Sequence, residues 1–91
     1  MNIWALENHK VKVTKESQKN GREYDSDRVK VLCDLGLICT VDHTHVHQSS
    51  TDVYLKEFPE TRFNSVNFED VTDQTEEQNK KHWQWKFYKT D

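Results

Sequence analysis

Alternating apolar and polar residues mark three short strands in the middle of the chain. The alternation runs through residues 37–41, 51–57 and 62–71. A period of two is typical of strands that turn one face toward a core. Residues 10–15 alternate in the same way and predict a first strand with Val11 and Val13 facing inward. Short strands with tight connections predict a small, strongly bent β-barrel.

Turn-forming residues separate these runs. Asn20-Gly21 suits a tight turn and places residues 16–24 in an exposed loop, while residues 48–50 form a polar turn. Residues 57–61 contain Pro59, which lacks an N–H for a β-ladder, so this segment is predicted to end one strand before the next begins.

One short helix is predicted between the first strand and the second. Residues 25–27 offer side-chain oxygens that can cap a helix, and Val29, Leu32 and Leu35 recur at helical spacing. Gly36 can adopt the left-handed conformation that ends a helix. Because Val29 and Val31 also alternate, an extended segment remains an alternative here.

After Val71 the chain becomes strongly polar and then aromatic. Residues 73–76 resemble a capping box, and Glu76 and Glu77 each precede a lysine by four residues, so a helix of about two turns is predicted. Residues 83–88 follow. In a strand their two tryptophans would share a face with Phe87, whereas a helix would pair Trp83 with Phe87, and both interpretations remain open.

Length and charge bound the architecture. A chain of 91 residues allows one domain, here residues 1–91, with a barrel over 10–71 and extensions at 1–9 and 72–91. The formal net charge of −3 provides no long-range attraction to a phosphate backbone. Residues 37–71 carry six carboxylates against Lys56 and Arg62, so the predicted barrel is the acidic part.

Cysteine usage and the N-terminal residues point to the cytoplasm. The only cysteines are Cys33 and Cys39, which form neither a disulfide framework nor a zinc ribbon, so two reduced thiols are expected. Residues 1–7 lack a basic leader and an apolar run. We therefore expect a cytoplasmic protein with no membrane partner, located in the host cytoplasm if it is viral.

Several short segments together resemble a known group of proteins. They are Val11-Lys12-Val13, Asp27-Arg28-Val29, Leu35-Gly36, Thr40-Val41 and Phe63-Asn64-Ser65-Val66-Asn67-Phe68-Glu69. This pattern is similar to small uncharacterised SH3-like β-barrel proteins of bacteriophages and Firmicutes, and covers residues 10–71. The resemblance implies a mainly β, SH3-like barrel of about five strands and a viral or mobile-element origin. It implies no functional residues.

Three histidines are weak candidates for metal ligands. His43, His45 and His47 would project from one face of a regular strand about 7 Å apart, and Cys39 shares their parity. Ligands spread along one straight strand do not converge on a tetrahedral ion. A solvated strand end is therefore the favoured interpretation, and we expect no cofactor.

Catalytic patterns are weak in this sequence. Ser49 and Ser50 lie near His47 and Asp52, but no glycine-rich oxyanion loop accompanies them. With two glycines in the chain, a nucleotide-binding loop of the Walker or dinucleotide type is excluded. Both cysteines fall on apolar stripes, so we expect a protein that is not an enzyme.

The aromatic tail is the strongest functional lead. Trp83, Trp85, Phe87 and Tyr88 lie within six residues, and such side chains are enriched in binding hot spots. The tail could close the barrel as an added strand, or anchor a partner protein. A third interpretation is stacking on nucleic-acid bases, with positive charge from Lys80, Lys81, Lys86 and Lys89.

We expect a non-enzymatic, phage-encoded module that binds a bacterial host protein and inhibits or redirects it. The tail aromatics would anchor the partner. The acidic side of the barrel would steer it, and the carboxylates concerned are Asp52, Glu57, Glu60, Glu69 and Asp70. The alternatives are a small nucleic-acid-binding barrel and a protein that sequesters a nucleotide or a metal.

Overall fold

The computed structural model describes residues 1–20 and 23–88, and the side chains of residues 1–20 and 29–87. Within these described residues, five strands and three helices are joined by short connections, with single 3₁₀ turns at Ser17–Lys19 and Ser65–Asn67. The elements are β1 (Lys10–Lys12), α1 (Glu23–Leu35), β2 (Ile38–Val46), β3 (Thr51–Leu55), β4 (Phe58–Asn64), β5 (Glu69–Asp70), α2 (Glu76–Asn79) and α3 (Trp85–Tyr88).

The five strands form one antiparallel sheet in the order β4-β3-β2-β1-β5. Strands β2, β3 and β4 follow one another as hairpins, and the predicted polar turn at residues 48–50 joins the first two. The mainly β fold with about five strands and short helices is therefore confirmed. Its similarity to SH3-like barrels stays a prediction.

The core lies between the inner face of this sheet and α1. Val11, Cys39, Val41, Val53 and Leu55 are fully shielded from solvent on the strands. The helix contributes two buried side chains, and the aromatic residues pack edge to face at one end of the core: Val29, Leu32, Phe63 and Phe68. The alternation in the sequence correctly identified the inward positions of β1 and β3.

Helix α1 confirms the helical interpretation of residues 25–36, although it begins at Glu23. Gly36 has a φ of 61°, and its N–H donates to the Cys33 carbonyl at 3.0 Å. The next N–H, from Leu37, donates to the Leu32 carbonyl at 3.1 Å. This pair of bonds is the Schellman arrangement that a left-handed glycine permits, so the sequence predicted the helix end correctly.

Two strand predictions were wrong in their boundaries. Pro59 lies inside β4, because β4 is an edge strand and a missing N–H can point to its open side. The predicted strand over residues 62–71 is interrupted after Asn64, whose side chain accepts a hydrogen bond from the Val66 N–H at 3.3 Å. The Asn67 amide then donates to the Asn20 carbonyl at 2.7 Å, which stabilises the 3₁₀ turn.

A bulge in β2 corrects the predicted face of the histidines. The register between β2 and β3 shifts between Val41 and His43. Before the shift Cys39 and Val41 are buried, whereas after it Thr44 is buried and His43 is exposed. The extra residue reverses the parity of the strand. Cys39 therefore faces the core and does not share a face with the histidines.

The tail is helical where it is regular. Its capping box joins Thr75 and Gln78 instead of the predicted residues 73–76, and α2 is a single turn. Lys80 contacts Glu77, with Nζ 3.3 Å from Oε1. Because α3 spans Trp85–Tyr88, the interpretation of the tail as a closing strand is not supported.

We predict that Phe68→Ala lowers the free energy of unfolding by about 3–5 kcal/mol, since it removes a ring that is 1% exposed and leaves a cavity in its place. The neighbouring Val66→Ala is the control, because that side chain is 42% exposed and its loss should change stability by less than about 0.5 kcal/mol. Urea denaturation monitored by tryptophan fluorescence measures both. Equal effects of the two substitutions would contradict this core.

Candidate functional site

Strand β2 is much longer than its neighbour β1. The three residues of β1 pair with the first three residues of β2, in the register Lys10↔Thr40, Val11↔Cys39 and Lys12↔Ile38. The rest of that edge of β2 extends beyond β1. The segment before β1 continues the pairing for one residue. The Val41 N–H donates to the His9 carbonyl, and the Asn8 N–H donates to the Val41 carbonyl, both at 2.8 Å.

Side chains of the tail pair with the remaining main-chain groups of this edge. The Gln84 carboxamide accepts the Val46 N–H at 2.6 Å and donates to the Val46 carbonyl at 3.1 Å. The Trp83 indole N–H donates to the Thr44 carbonyl at 2.9 Å. One primary amide thus replaces the peptide group of a missing strand. We call this contact, formed by Trp83 and Gln84 on Thr44 and Val46, the tail clasp.

His82 lies at the centre of the tail clasp and is 5% exposed. Its Nδ1 accepts the Gln84 backbone N–H at 3.0 Å, and its Nε2 lies 2.6 Å from the Thr44 hydroxyl. That hydroxyl is also 2.7 Å from the Ile3 carbonyl, to which it donates. Burial lowers the pKa of His82 below its ordinary value. A hydrogen bond with the Thr44 backbone opposes this shift, and the charge of His43 adds to it.

The N-terminal segment completes the packing of the tail. The Trp4 ring meets the rings of His82 and Trp85 edge on, with centroids 5.2 Å apart in each pair. The Gln74 amide donates to the Trp4 carbonyl at 2.7 Å. Trp85 is half-buried by these contacts. It therefore helps to attach the tail and contributes less to the solvent-exposed surface.

A row of rings lies on the outer side of the sheet, next to the tail clasp. His43 stacks on Tyr54 with centroids 4.4 Å apart, and His45 stacks on His47 at the same distance. Trp83, which is 52% exposed, meets His45 edge on at 5.3 Å. We call these five side chains the ring face.

The remaining tail aromatics differ in their exposure. Phe87 is 67% exposed, and the Lys86 ammonium lies 5.3 Å from the centre of its ring. The side chain of Tyr88 lies outside the described residues. The four tail aromatics predicted as one anchor therefore divide, because Trp85 packs inward while Trp83 and Phe87 present ring surface to solvent.

The five predicted steering carboxylates lie in different parts of the sheet. Asp52 is beside the ring face, 2.8 Å from His47 and 3.9 Å from Arg62. Asp70 lies at the opposite edge and bonds to His9 at 2.7 Å. The other three are exposed, on β5, on β4 and in the turn before β4: Glu69, Glu60 and Glu57.

Glu57 has a structural role at the start of β2. Its carboxylate accepts the Thr40 N–H at 2.7 Å. Partial burial raises the pKa of Glu57, but this hydrogen bond and the charge of Lys10 outweigh the effect and leave that pKa below its ordinary value. Burial, together with the charge of Glu57, raises the pKa of the Cys39 thiol to about 11. Such a thiol is a poor nucleophile.

The histidines do not converge on a metal site. Among residues 1–20 and 23–88, no three histidine, cysteine or acidic side chains are grouped so that they could hold a metal ion. Instead His43 bonds to Asp42 at 2.7 Å, and His47 bonds to Asp52. The imidazoles therefore contribute stacking surface and hydrogen bonds to the ring face.

Sequence reasoning did not identify the residues that attach the tail. Gln84, Thr44 and His82 are polar residues in polar surroundings, and no periodicity separates them from solvated positions. The signal that was available is the alternation of Trp83-Gln84-Trp85, in which a glutamine stands between two large rings. A side chain shielded by such neighbours must find internal hydrogen-bond partners.

Comparison with known proteins identifies the family. A family model described as bacteriophage T4 protein Y07B matches residues 9–89. The chain belongs to this family. The match includes β1 to α3, and therefore both sides of the tail clasp, and it supports the phage origin that the sequence resemblance implied. The resemblance to proteins of Firmicutes stays a prediction.

Two further comparisons and a search for membrane helices add little to the Y07B family assignment. Neither the curated proteins nor the solved structures include a match to the chain. Across the described ranges 1–20 and 23–88, no helix has the length and apolar character needed to cross a membrane.

We predict that Gln84→Ala lowers the free energy of unfolding by about 1–3 kcal/mol, because it removes both hydrogen bonds that the carboxamide forms with the buried N–H and carbonyl of Val46. Gln48→Ala is the matched control, since that glutamine is exposed in the turn after β2 and its loss should be nearly neutral. Chemical denaturation compares the two variants. A neutral Gln84→Ala would show that the tail clasp does not stabilise the protein.

Proposed function

We propose that this protein is a non-enzymatic, phage-encoded binding module that occupies a surface of a bacterial host protein and inhibits or redirects it. The observation that carries the proposal is the exposed indole of Trp83, which its hydrogen bond to Thr44 holds in place beside the other rings of the ring face. Membership of a bacteriophage family supports the phage and host setting.

The fixed position of Trp83 favours tight binding. Its indole N–H already has a partner, and one side of the ring rests on His45, so few rotamers remain to be lost on association. A side chain that is ordered before binding loses less entropy when a partner covers it. Large rings in such positions are the usual centres of binding energy in protein interfaces.

The ring face extends this anchor into a wider aromatic surface. Tyr54 is half-buried, and His43 covers its ring, so the two present a flat apolar area beside Trp83. Asp52 and Arg62 border that area. An aromatic centre with a charged border is the usual anatomy of a protein interface.

The carboxylates around the sheet suit a role in steering. Asp52 lies at the ring face, and Glu60 is exposed on the adjoining strand β4. Their charge would speed the approach of a cationic partner more than it would strengthen the final complex. We therefore propose that the binding energy comes from the rings and that the association rate depends on the acids.

The test begins with capture of bacterial proteins from a lysate, followed by titration calorimetry on the captured partner. Tyr54→Ala is expected to weaken binding about 30-fold or more, the change typical of a hot-spot residue. Leu35→Ala is the matched control, because Leu35 is a large apolar residue that is 70% exposed at the end of α1. It should leave the affinity unchanged.

Trp83→Phe is a second variant that tests binding through the ring face. Phenylalanine keeps an aromatic ring but loses the N–H that bonds to Thr44, so binding should weaken while urea denaturation verifies that the variant folds. Full affinity in both Tyr54→Ala and Trp83→Phe, with a loss in Leu35→Ala, would contradict the proposal and move the interface to α1.

Nucleic-acid binding is the second candidate, and the stacked rings of His43 and Tyr54 favour it. Rings on an open sheet face can stack on bases without regard to sequence. Asp42 and Asp52 lie beside those rings and would repel phosphate. Binding through phosphate contacts should fall steeply between about 50 and 200 mM salt, whereas binding to a protein through the ring face should change little.

A further inference from the structure

Three parts of the chain meet at the His82 ring. Thr44 approaches it from β2, Trp4 from the N-terminal segment, and the Trp83 ring lies nearly parallel to it with centroids 5.9 Å apart. The ring is 5% exposed. A titratable side chain is thus buried where the N-terminal segment, β2 and the tail meet.

The hydrogen bonds around the ring determine where its proton lies. The Gln84 backbone N–H can only donate, so Nδ1 must present its lone pair to it. The neutral ring then carries its proton on Nε2, which donates to the Thr44 hydroxyl oxygen. The Thr44 hydrogen points to the Ile3 carbonyl, so every group in the chain of bonds has a partner.

A second proton on this ring has no acceptor at Nδ1. It would sit on Nδ1 and face the N–H of Gln84 at a separation of 3.0 Å, where two donors repel each other. The positive charge would also be shielded from water by the rings of Trp4 and Trp83. His82 and Gln84 both belong to the tail, so relief requires that the ring turn away from the Gln84 N–H. That turn takes Nε2 away from the Thr44 hydroxyl of β2.

We propose that His82 is a proton-sensitive latch, which holds the tail on β2 while the ring is neutral and releases the tail when the ring gains a proton. Release opens the edge of β2 at Thr44 and Val46, because the side chains of Trp83 and Gln84 leave with the tail. That part of β2 then resembles an edge strand, whose main-chain groups are a template for pairing with another chain.

The charges around His82 favour release under acid conditions. From β2 it faces His43, itself paired with Asp42, and a charge on His43 opposes a second charge on His82. The N-terminal segment contributes the neutral Trp4 ring. The tail contributes Trp83 and Gln84, also neutral, and Lys81 beside it in sequence is exposed.

The sign of the pH effect follows from the direction of the shift. Burial lowers the pKa of docked His82 below 6.5, the value expected for a released tail. Docking is therefore strongest above that value and weakens as the pH falls through the lowered pKa. Between the two values the docking equilibrium should fall up to about tenfold for each pH unit.

The latch does not depend on the proposed function, because it concerns the attachment of the tail within the free protein. Nuclear magnetic resonance of the full chain tests it directly. At pH 7.5 the ¹⁵N shifts of His82 should show a neutral ring protonated at Nε2. Between pH 7.5 and 4.5 the protection factor of the Val46 amide should fall with the titration of His82, while the Val53 amide of β3 stays protected.

Two variants separate the latch from general acid sensitivity. His82→Gln keeps a neutral donor for Thr44, and Val46 protection should become independent of pH over this range. His43→Gln removes the neighbouring charge and keeps the latch, so the midpoint should move upward toward the ordinary histidine value. A ring that is charged or protonated on Nδ1 at pH 7.5, or a docked tail at pH 4.5 with His82 charged, would overturn the proposal.

Discussion

The edge of β2 that extends beyond β1 is the constraint on which the rest of the structure depends. β2 is nine residues long, and β1 pairs with three of them. A buried N–H or carbonyl without a partner costs about as much as a lost hydrogen bond, so this edge must be covered. The protein covers it with a backbone segment at Val41 and with side chains at Thr44 and Val46.

This solution explains why the N-terminal segment and the tail lie together. The N-terminal segment packs on the tail beside β2, and Trp4 makes that contact with His82 and Trp85. Polar side chains form many of the contacts that attach the tail, in keeping with a chain that is 33% hydrophobic. The same attachment carries Trp83 to the ring face, so stability and the proposed binding surface come from one set of contacts.

Features that depend on local sequence were predictable. Alternation located β1, β2 and β3, and Gly36 marked the end of α1. Both signals depend only on residues that are close together in the sequence. The bulge that reverses β2 was not predictable in this way. It depends on pairing with β3, and the histidines kept the parity of Cys39 in the sequence while facing the other way in space.

The attachment of the tail was even less predictable from local sequence. Its aromatic residues suggested a strand or an anchor, but the contact that holds it is the carboxamide of Gln84 on Val46 of a distant strand. Local pattern cannot reveal that pairing, because it exists only once β2 extends beyond β1. Both partners of the contact lie within residues 9–89 of this chain, the range that the phage family model matches.

The most direct test of this account is the scalar coupling transmitted across the hydrogen bond of Val46, measured by a long-range HNCO experiment on the uniformly labelled protein at neutral pH. The account predicts a cross-peak between the Val46 amide nitrogen and the side-chain carbonyl carbon of Gln84. A cross-peak from Val46 to a backbone carbonyl, or rapid exchange of that amide with solvent, would contradict it.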